Sequence, residues 1–454
     1  MQAITQYLKG QGYGVVSDEY YSEIARWFEW YRGDRKDFYS YVVYNGKSKI
    51  HKTRYSLRMA KRVCEDWANL ILNEKVEISA GSEKENNFLQ QVLDKNNFRA
   101  RGNRIIELAF ALGTGAFVEY LEDKEVYIDY VRAGMIYPLS WDNGEITECA
   151  FASERIRQKK KYIYLNIHTL NDKGNYVVKN KCFERNGNVI SPAELPEGMA
   201  EKYETRSNIP LFQIFSPNIV NNVAVDCPMG ISVFANAIDQ IKGVDLVYDS
   251  YCNEFRLGKK RIMVPRTLTQ TVQDDNGITL PIFDDSDTEF YAVNTETADK
   301  PYEINMELRA DAHEKGLSTA LKLLSANCGM GNNRYSFENE NVKTATEVVS
   351  EKSDLYQNLK KHELVIKKAV KDMAKAILSL GGNNAETEIA VNFDDSIIED
   401  TGTKRQQFLQ EISQGLRAPW EYRKEFFGET EEEAKANIEE IKKNNPSMQS
   451  LLGE

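Results

Sequence analysis

Histidine is scarce in these 454 residues: there are four, His51, His168, His313 and His362. No two stand at metal-ligand spacing, so a helical H-E-x-x-H zinc site is excluded. The six cysteines, Cys64, Cys149, Cys182, Cys227, Cys252 and Cys328, include no C-x-x-C pair. They read as small buried thiols in a reducing cytoplasm rather than as disulfides or a metal site. No G-x-S-x-G elbow and no G-x-x-x-x-G-K-[ST] loop occurs, which removes the serine-hydrolase and P-loop routes to catalysis. Gly329-Met330-Gly331 is too short for a dinucleotide fingerprint and runs into Asn332. No apolar run approaches the roughly 20 residues that cross a bilayer. The opening Met1–Lys9 lacks the basic-then-apolar order of a signal peptide, and none is expected. Base is short as well: 58 Lys and Arg face 69 Asp and Glu, a formal charge of −11. An acidic chain does not clamp polyanions tightly, although looser contact is permitted.

The remainder is a globular composition, 41% hydrophobic and 28% charged, long enough for two or three domains. Residues 1–115 read as helices. Asp18 caps a helix carrying Ile24, Trp27, Phe28 and Tyr31 and stopping near Gly33. A second starts around Tyr55 with the stripe Leu57, Ala60, Val63, Trp67 and Leu70-Ile71. Phe88, Val92 and Leu93 mark a third, and Ile105 to Leu112 a fourth that ends at Gly113. From Ala116 to about Phe215 the period shortens to that of strands, with turns at Asn143-Gly144, Lys173-Gly174 and Asn186-Gly187, an antiparallel meander.

Pro228 suits the first turn of a helix over Gly230–Phe255, with Asp239, Lys242, Asp245 and Asp249 on its polar side. A β-rich insert follows, with strands at Arg261–Pro265 and Phe290–Val293 and a turn in Gln273–Ile278. It carries Asp274, Asp275, Asp284, Asp285, Asp287, Glu289, Glu296, Asp299 and Glu303 against few bases. A helix from Leu308 to about Ala326 leads away, so the insert is expected to project between two helices. The Gly/Asn-rich segment Cys328–Phe337 then feeds a helix that Thr344 and Glu347 start as a capping box. Its stripe runs from Val348 to Leu380 before Gly381-Gly382, about 38 residues and 55 Å. The tail holds a strand near 388–393 and helices near 403–414, 420–427 and 430–443, the last with a Thr430/Glu433 capping box. Asp394-Asp395 and Glu399-Asp400 read as solvated loop carboxylates, and His362 as an exposed or interface side chain.

Two features carry a specific signal: the helix–insert–helix unit, and the Gly/Asn loop feeding Lys343–Tyr356. With Trp27–Gly33, Met59–Leu70, Leu308–Asp311 and Phe427–Ala434, and in this order, they make the chain resemble the portal proteins of tailed bacteriophages, in the branch common in long-tailed phages of Gram-positive bacteria. The resemblance spans nearly the whole chain and implies an α+β portal fold. Its parts would be a wing over 1–229 (helical 1–115, antiparallel β 116–215), a stem of helices 230–256 and 308–327, and a clip at 257–307. A tunnel loop at 328–342, a long helix at 343–382, and a return strand with crown helices at 383–454 would complete it.

The resemblance further implies a homo-oligomeric ring, normally a dodecamer, at one capsid vertex of the virion, through which double-stranded DNA passes. The partners implied are terminase, a head-completion adaptor, and capsid or scaffolding protein. No membrane, cofactor or catalytic residue is implied. Asn332, Asn333, Arg334 and Tyr335 would lie nearest the DNA. Lys259, Lys260 and Arg261, at the stem–clip junction, would contact DNA or form salt bridges between subunits. The alternatives are another head–tail connector or capsid-associated protein that threads no DNA, and a nucleic-acid enzyme.

Overall fold

The computed structural model describes residues 2–44, 46–187, 189–268, 271–273, 277, 279–281, 290–293, 300–335, 345–393 and 401–444. The α+β class expected from the sequence is what the chain adopts. It begins with helices α1 (Gln2–Gly10), α2 (Asp18–Arg32) and the short α3 (Lys36–Tyr39). An isolated hairpin follows, β1 (Ser40–Tyr44) against β2 (Lys49–Thr53). Then come α4 (Met59–Ile71), β3 (Glu77–Ala80), α5 (Glu83–Lys95) and α6 (Phe98–Leu112). The cap of α2 is Ser17, whose Oγ accepts the Tyr20 amide, rather than Asp18. Asp18 instead opens the helix and pairs with Lys9 at 3.1 Å. The helix ends at Gly33, left-handed at φ 65°. The second helix begins at Met59 rather than near Tyr55, because Tyr55, Ser56 and Leu57 are held in a non-helical link by buried carboxylates described below.

The strand-rich region forms two antiparallel sheets. β4 (Gly115–Glu122), β5 (Glu125–Arg132) and β12 (Phe212–Phe215) make one, ordered β12-β4-β5. The other runs β10-β9-β8-β7-β6, built from β6 (Ile136–Asp142), β7 (Glu145–Arg157), β8 (Lys160–Leu170), β9 (Tyr176–Asn186) and β10 (Val189–Ala193), with β11 (Lys202–Glu204) also on β9. The Asn143-Gly144 turn takes positive φ at both residues, 46° and 81°, which matches the right-handed twist of the flanking strands.

The expected helix over Gly230–Phe255 is shorter: α7 spans Ile238–Leu257 after a 3-10 turn at Ala235–Ala237. Residues 230–234 are instead an irregular segment stitched onto α6. Gly230 N donates to Thr114 Oγ1 at 3.1 Å, and Val233 N to the Phe110 carbonyl at 2.9 Å. The Gly113 and Gly230 backbones press together so closely that a Cβ on Gly113 would lie 2.1 Å from the Gly230 oxygen. Ile231 and Phe234, which mimic a helical stripe, are fully buried in this seam.

The insert contains β13 (Arg261–Pro265), β14 (Thr271–Gln273), β15 (Thr279–Pro281), β16 (Phe290–Val293) and β17 (Tyr302–Ile304). β13 lies between a parallel β16 and an antiparallel β17. Of its acidic residues, Asp274, Asp275, Asp284, Asp285, Asp287, Glu289, Glu296 and Asp299 lie outside the described residues, as do Asn276 and Ile278 of the expected turn. α8 (Ala310–Asn327) leaves the insert and packs along α7. α9 (Ala345–Leu380) is 36 residues, about 54 Å long; its expected Thr344/Glu347 cap falls outside the described side chains. β18 (Ile389–Asn392) returns to pair with β3, from Ile389 opposite Ala80 to Asn392 opposite Glu77. The tail is α10 (Thr401–Ser413), α11 (Pro419–Phe427) and α12 (Glu431–Asn444). The Thr430/Glu433 box is formed: Thr430 N donates to Glu433 Oε2 at 3.0 Å and Glu433 N to Thr430 Oγ1 at 3.3 Å. Asp394, Asp395, Glu399 and Asp400 lie outside the described residues. All six cysteines are unbridged.

Candidate functional site

The segment after α8 owes its shape to two glycines. Gly329 (φ 74°) ends the helix, its amide reaching Ala326 O at 3.1 Å while the Met330 amide reaches Ser325 O at 2.9 Å. This is the glycine-capped termination in which the next residue seals the end with an apolar side chain; Met330 is buried accordingly. Gly331 (φ 75°) turns the chain again. The Gly-Met-Gly run is therefore a helix stop.

The loop so formed is pinned from two sides. Trp67 Nε1 of α4 donates to the Cys328 carbonyl at 3.2 Å, and Asn358 Nδ2 of α9 donates to the Gly329 carbonyl at 3.1 Å. The Trp67 ring meets Phe110 of α6 at 6.0 Å and His362 of α9 at 4.7 Å. His362, read from the sequence as an exposed or interface side chain, is buried between them within the chain. Its Nδ1 accepts the Asn218 amide at 3.0 Å, which leaves the ring neutral with its proton on Nε2. Burial pushes its pKa down to about 4. Thus α4, α6, α9 and the 217–234 segment meet where the loop is rooted.

Beyond Gly331, Asn332 is exposed and Asn333 half-buried. Arg334 is exposed, yet its Nη2 stands 3.6 Å from Oδ1 of the buried Asp66, whose other oxygen lies 3.2 Å from Arg62 Nε. Tyr335 folds back onto the core beside Asp66. Burial, then the Asp66 charge, raises its hydroxyl pKa above the ordinary range. Arg334 and Tyr335 thus both lie beside Asp66, and Asn332 and Arg334 are exposed; residues 336–342 lie outside the described residues.

Lys259, Lys260 and Arg261 sit elsewhere, where α7 enters the insert. Lys260 Nζ lies 2.5 Å from Glu303 Oε2, and Arg261 Nη2 donates to the Leu257 carbonyl at 3.0 Å. Lys259 is exposed. Across the same junction Arg309 grips Glu254 with two parallel bonds of 3.0 and 2.7 Å. That clamp holds the Glu254 carboxyl down to about 2. The sequence reading missed this pair, although Glu254 and Arg309 end and begin the two helices.

It also placed Asp245 and Asp249 on a polar face, whereas both are buried. Asp245 accepts from Tyr39 Oη at 2.6 Å, Ser56 Oγ at 2.8 Å and the Leu57 amide at 2.8 Å. Asp249 accepts the Tyr55 amide at 3.0 Å. Two carboxylates one helical turn apart therefore fasten α7 to the link between the hairpin and α4. Carboxylates of this kind mark a helix as solvated by composition, and only the distant donors reveal the burial.

Among the described residues no group of His, Cys, Asp and Glu could hold a metal ion, and no helix is long and apolar enough to cross a membrane. Compared with curated proteins, the chain matches none. The family model described as "Phage portal protein, SPP1 Gp6-like" matches residues 16–447. That span takes in the helical body, both sheets, the α7–insert–α8 unit, the pinned loop and the α9–β18 return, and the chain belongs to this family of phage portal proteins.

Proposed function

We propose that the protein forms a ring at one capsid vertex, conducts double-stranded DNA during packaging and ejection, and docks terminase and later a head-completion adaptor. On this reading residues 1–229 are the wing, α7 and α8 the stem, and the insert between them the clip that meets those partners. The 328–342 segment is the tunnel loop, α9 the long helix behind it, and the region after residue 382 the return strand and crown. The observation that carries the reading is the loop after α8, rooted on Trp67, Asn358 and the His362 pocket, with Asn332 and Arg334 at its exposed end. A rigid root with short polar tips suits sequence-blind contact with a sliding duplex. The formal charge of −11 suits a wall that repels phosphates rather than gripping them. Ring closure calls for two different faces on each subunit, which a chain of this many parts can supply.

The role is mechanical, with no catalytic step assigned to this chain. Negative-stain images of the purified protein are expected to show annuli with a central hole, and an ATPase assay no turnover above background. Compact monomers at every concentration, or robust hydrolysis, would overturn the proposal.

A further inference from the structure

The hairpin β1–β2 is unlike the rest of the chain in charge. Between Asp37 and Glu65 the sequence has no acidic residue and seven basic ones. Lys47, Lys49 and Lys52 lie on the hairpin and Arg54 at its root, Arg58 is the N-cap residue of α4, and Lys61 and Arg62 on α4 are paired with Glu107 and Asp66. Without those seven the formal charge of −11 would be −18.

The root of the hairpin is fixed. The Arg54 amide donates to the Tyr39 carbonyl at 2.8 Å, and its guanidinium donates to the Phe38 carbonyl and lies over the Phe38 and Tyr41 rings at 5.0 and 4.6 Å. Tyr39 in turn is bonded to the buried Asp245. The outer part is incomplete. The two strands pair with each other and with no further described strand, and an isolated two-stranded ribbon is marginal in water. Val42 is 51% exposed, Tyr44 67% and Ile50 38%. The register sets Val42 opposite His51 and Tyr44 opposite Lys49 on one face, and Val43 opposite Ile50 and Tyr41 opposite Lys52 on the other. Apolar and cationic side chains are thus interleaved on a ribbon whose outer edges pair with no other described strand.

A phosphate backbone would satisfy the cations and leave the valine, isoleucine and tyrosine surface uncovered. An acidic protein surface meets both needs, and the strongly acidic remainder of another copy of this chain is such a surface. We infer that the 40–53 hairpin is an arm that docks on a second copy of this chain, its lysines toward the neighbour's carboxylates and its apolar side chains covered by the contact. This rests on the ring reading and assigns one of the two faces that ring closure needs.

The test uses the full chain. Mass photometry across a concentration series compares wild type with the double variant Lys49→Glu/Lys52→Glu. The variant is expected to need at least about tenfold more protein for half-assembly, at an unchanged monomer melting temperature. In parallel, a benzoylphenylalanine placed at Tyr44 is irradiated in assembled rings, with and without duplex DNA, and is expected to yield chain-to-chain adducts in both. This arm decides the question even if the double variant folds poorly. A variant that assembles like wild type, or adducts to DNA with none between chains, overturns the assignment while leaving the ring intact. A wild-type chain that stays monomeric overturns the ring reading and this assignment with it.

Discussion

Arg334 and Tyr335 show how two adjacent side chains in one loop divide their work. Tyr335 is packed inward, so truncating it removes core contacts and confounds any reading of function. Arg334 is exposed and stands 3.6 Å from the buried Asp66, which keeps Arg62 at 3.2 Å, so losing the looser of the two pairs costs about 0–1 kcal/mol. Arg334→Ala is therefore expected to leave the melting temperature within a few degrees and the ring intact, and to lower DNA retention or packaging. Normal packaging by that variant would remove Arg334 from the DNA-proximal set. Two other residues tie stability to pH. Burial lifts the Glu119 carboxyl from 4.5 up to about 8. The folded state thus prefers its proton, and the stability linked to it is greatest below pH 4.5 and declines as pH rises through about 8. His168 is the reverse case: burial takes it from 6.5 down to about 3. Its contribution is full above 6.5 and is lost as pH falls toward 3. Melting curves between pH 5 and 9 should show Glu119→Gln flattening the decline that runs up to about pH 8, and an unchanged slope would place the titration elsewhere. Nothing in the sequence distinguishes these two from surface residues; Glu119 sits on β4, against which α9 packs, and His168 meets the Phe151 and Phe212 rings.

At the scale of elements, what could be read depended on whether periodicity alone decides the structure. α2 and α6 were legible because their apolar residues recur at helical spacing and end on glycines, Gly33 and Gly113, that take left-handed φ. The meander was legible through its Asn-Gly turn and its alternation. The 230–234 segment was not, because Ile231 and Phe234 imitate the stripe of the helix that follows, while the feature that forbids it, backbone contact between Gly113 and Gly230, lies more than 100 residues away in the chain. The same distance hid the donors to Asp245 and the aromatic pocket around His362. The Gly113–Gly230 seam makes its own prediction. Gly113→Ala meets a carbonyl at 2.1 Å from a backbone already at φ 90°, and should cost at least about 2–3 kcal/mol, read as a lowered melting temperature. Stability equal to wild type would mean the seam yields easily. Gly144→Ala is the comparison, since a Cβ there meets open space and only the turn strain remains.

For the whole molecule, the pairing of β18 with β3 has a consequence for how the protein is made. Residues 77–80 find their partner strand only at 389–392, and Trp67 meets His362 only once α9 exists. At a synthesis rate of about 5–20 residues per second, the amino-terminal body waits roughly 15–60 s on the ribosome for the strand that completes it. Until then β3 has an open edge and the aromatic pocket gapes. A nascent chain in this state lacks the antiparallel partner of β3 and the His362 side of the aromatic pocket, so this part of the body closes only after residue 392 has been made. A product terminated before residue 389 lacks β18 and leaves β3 without the strand it pairs with, the buried Ile389 and Val391 included.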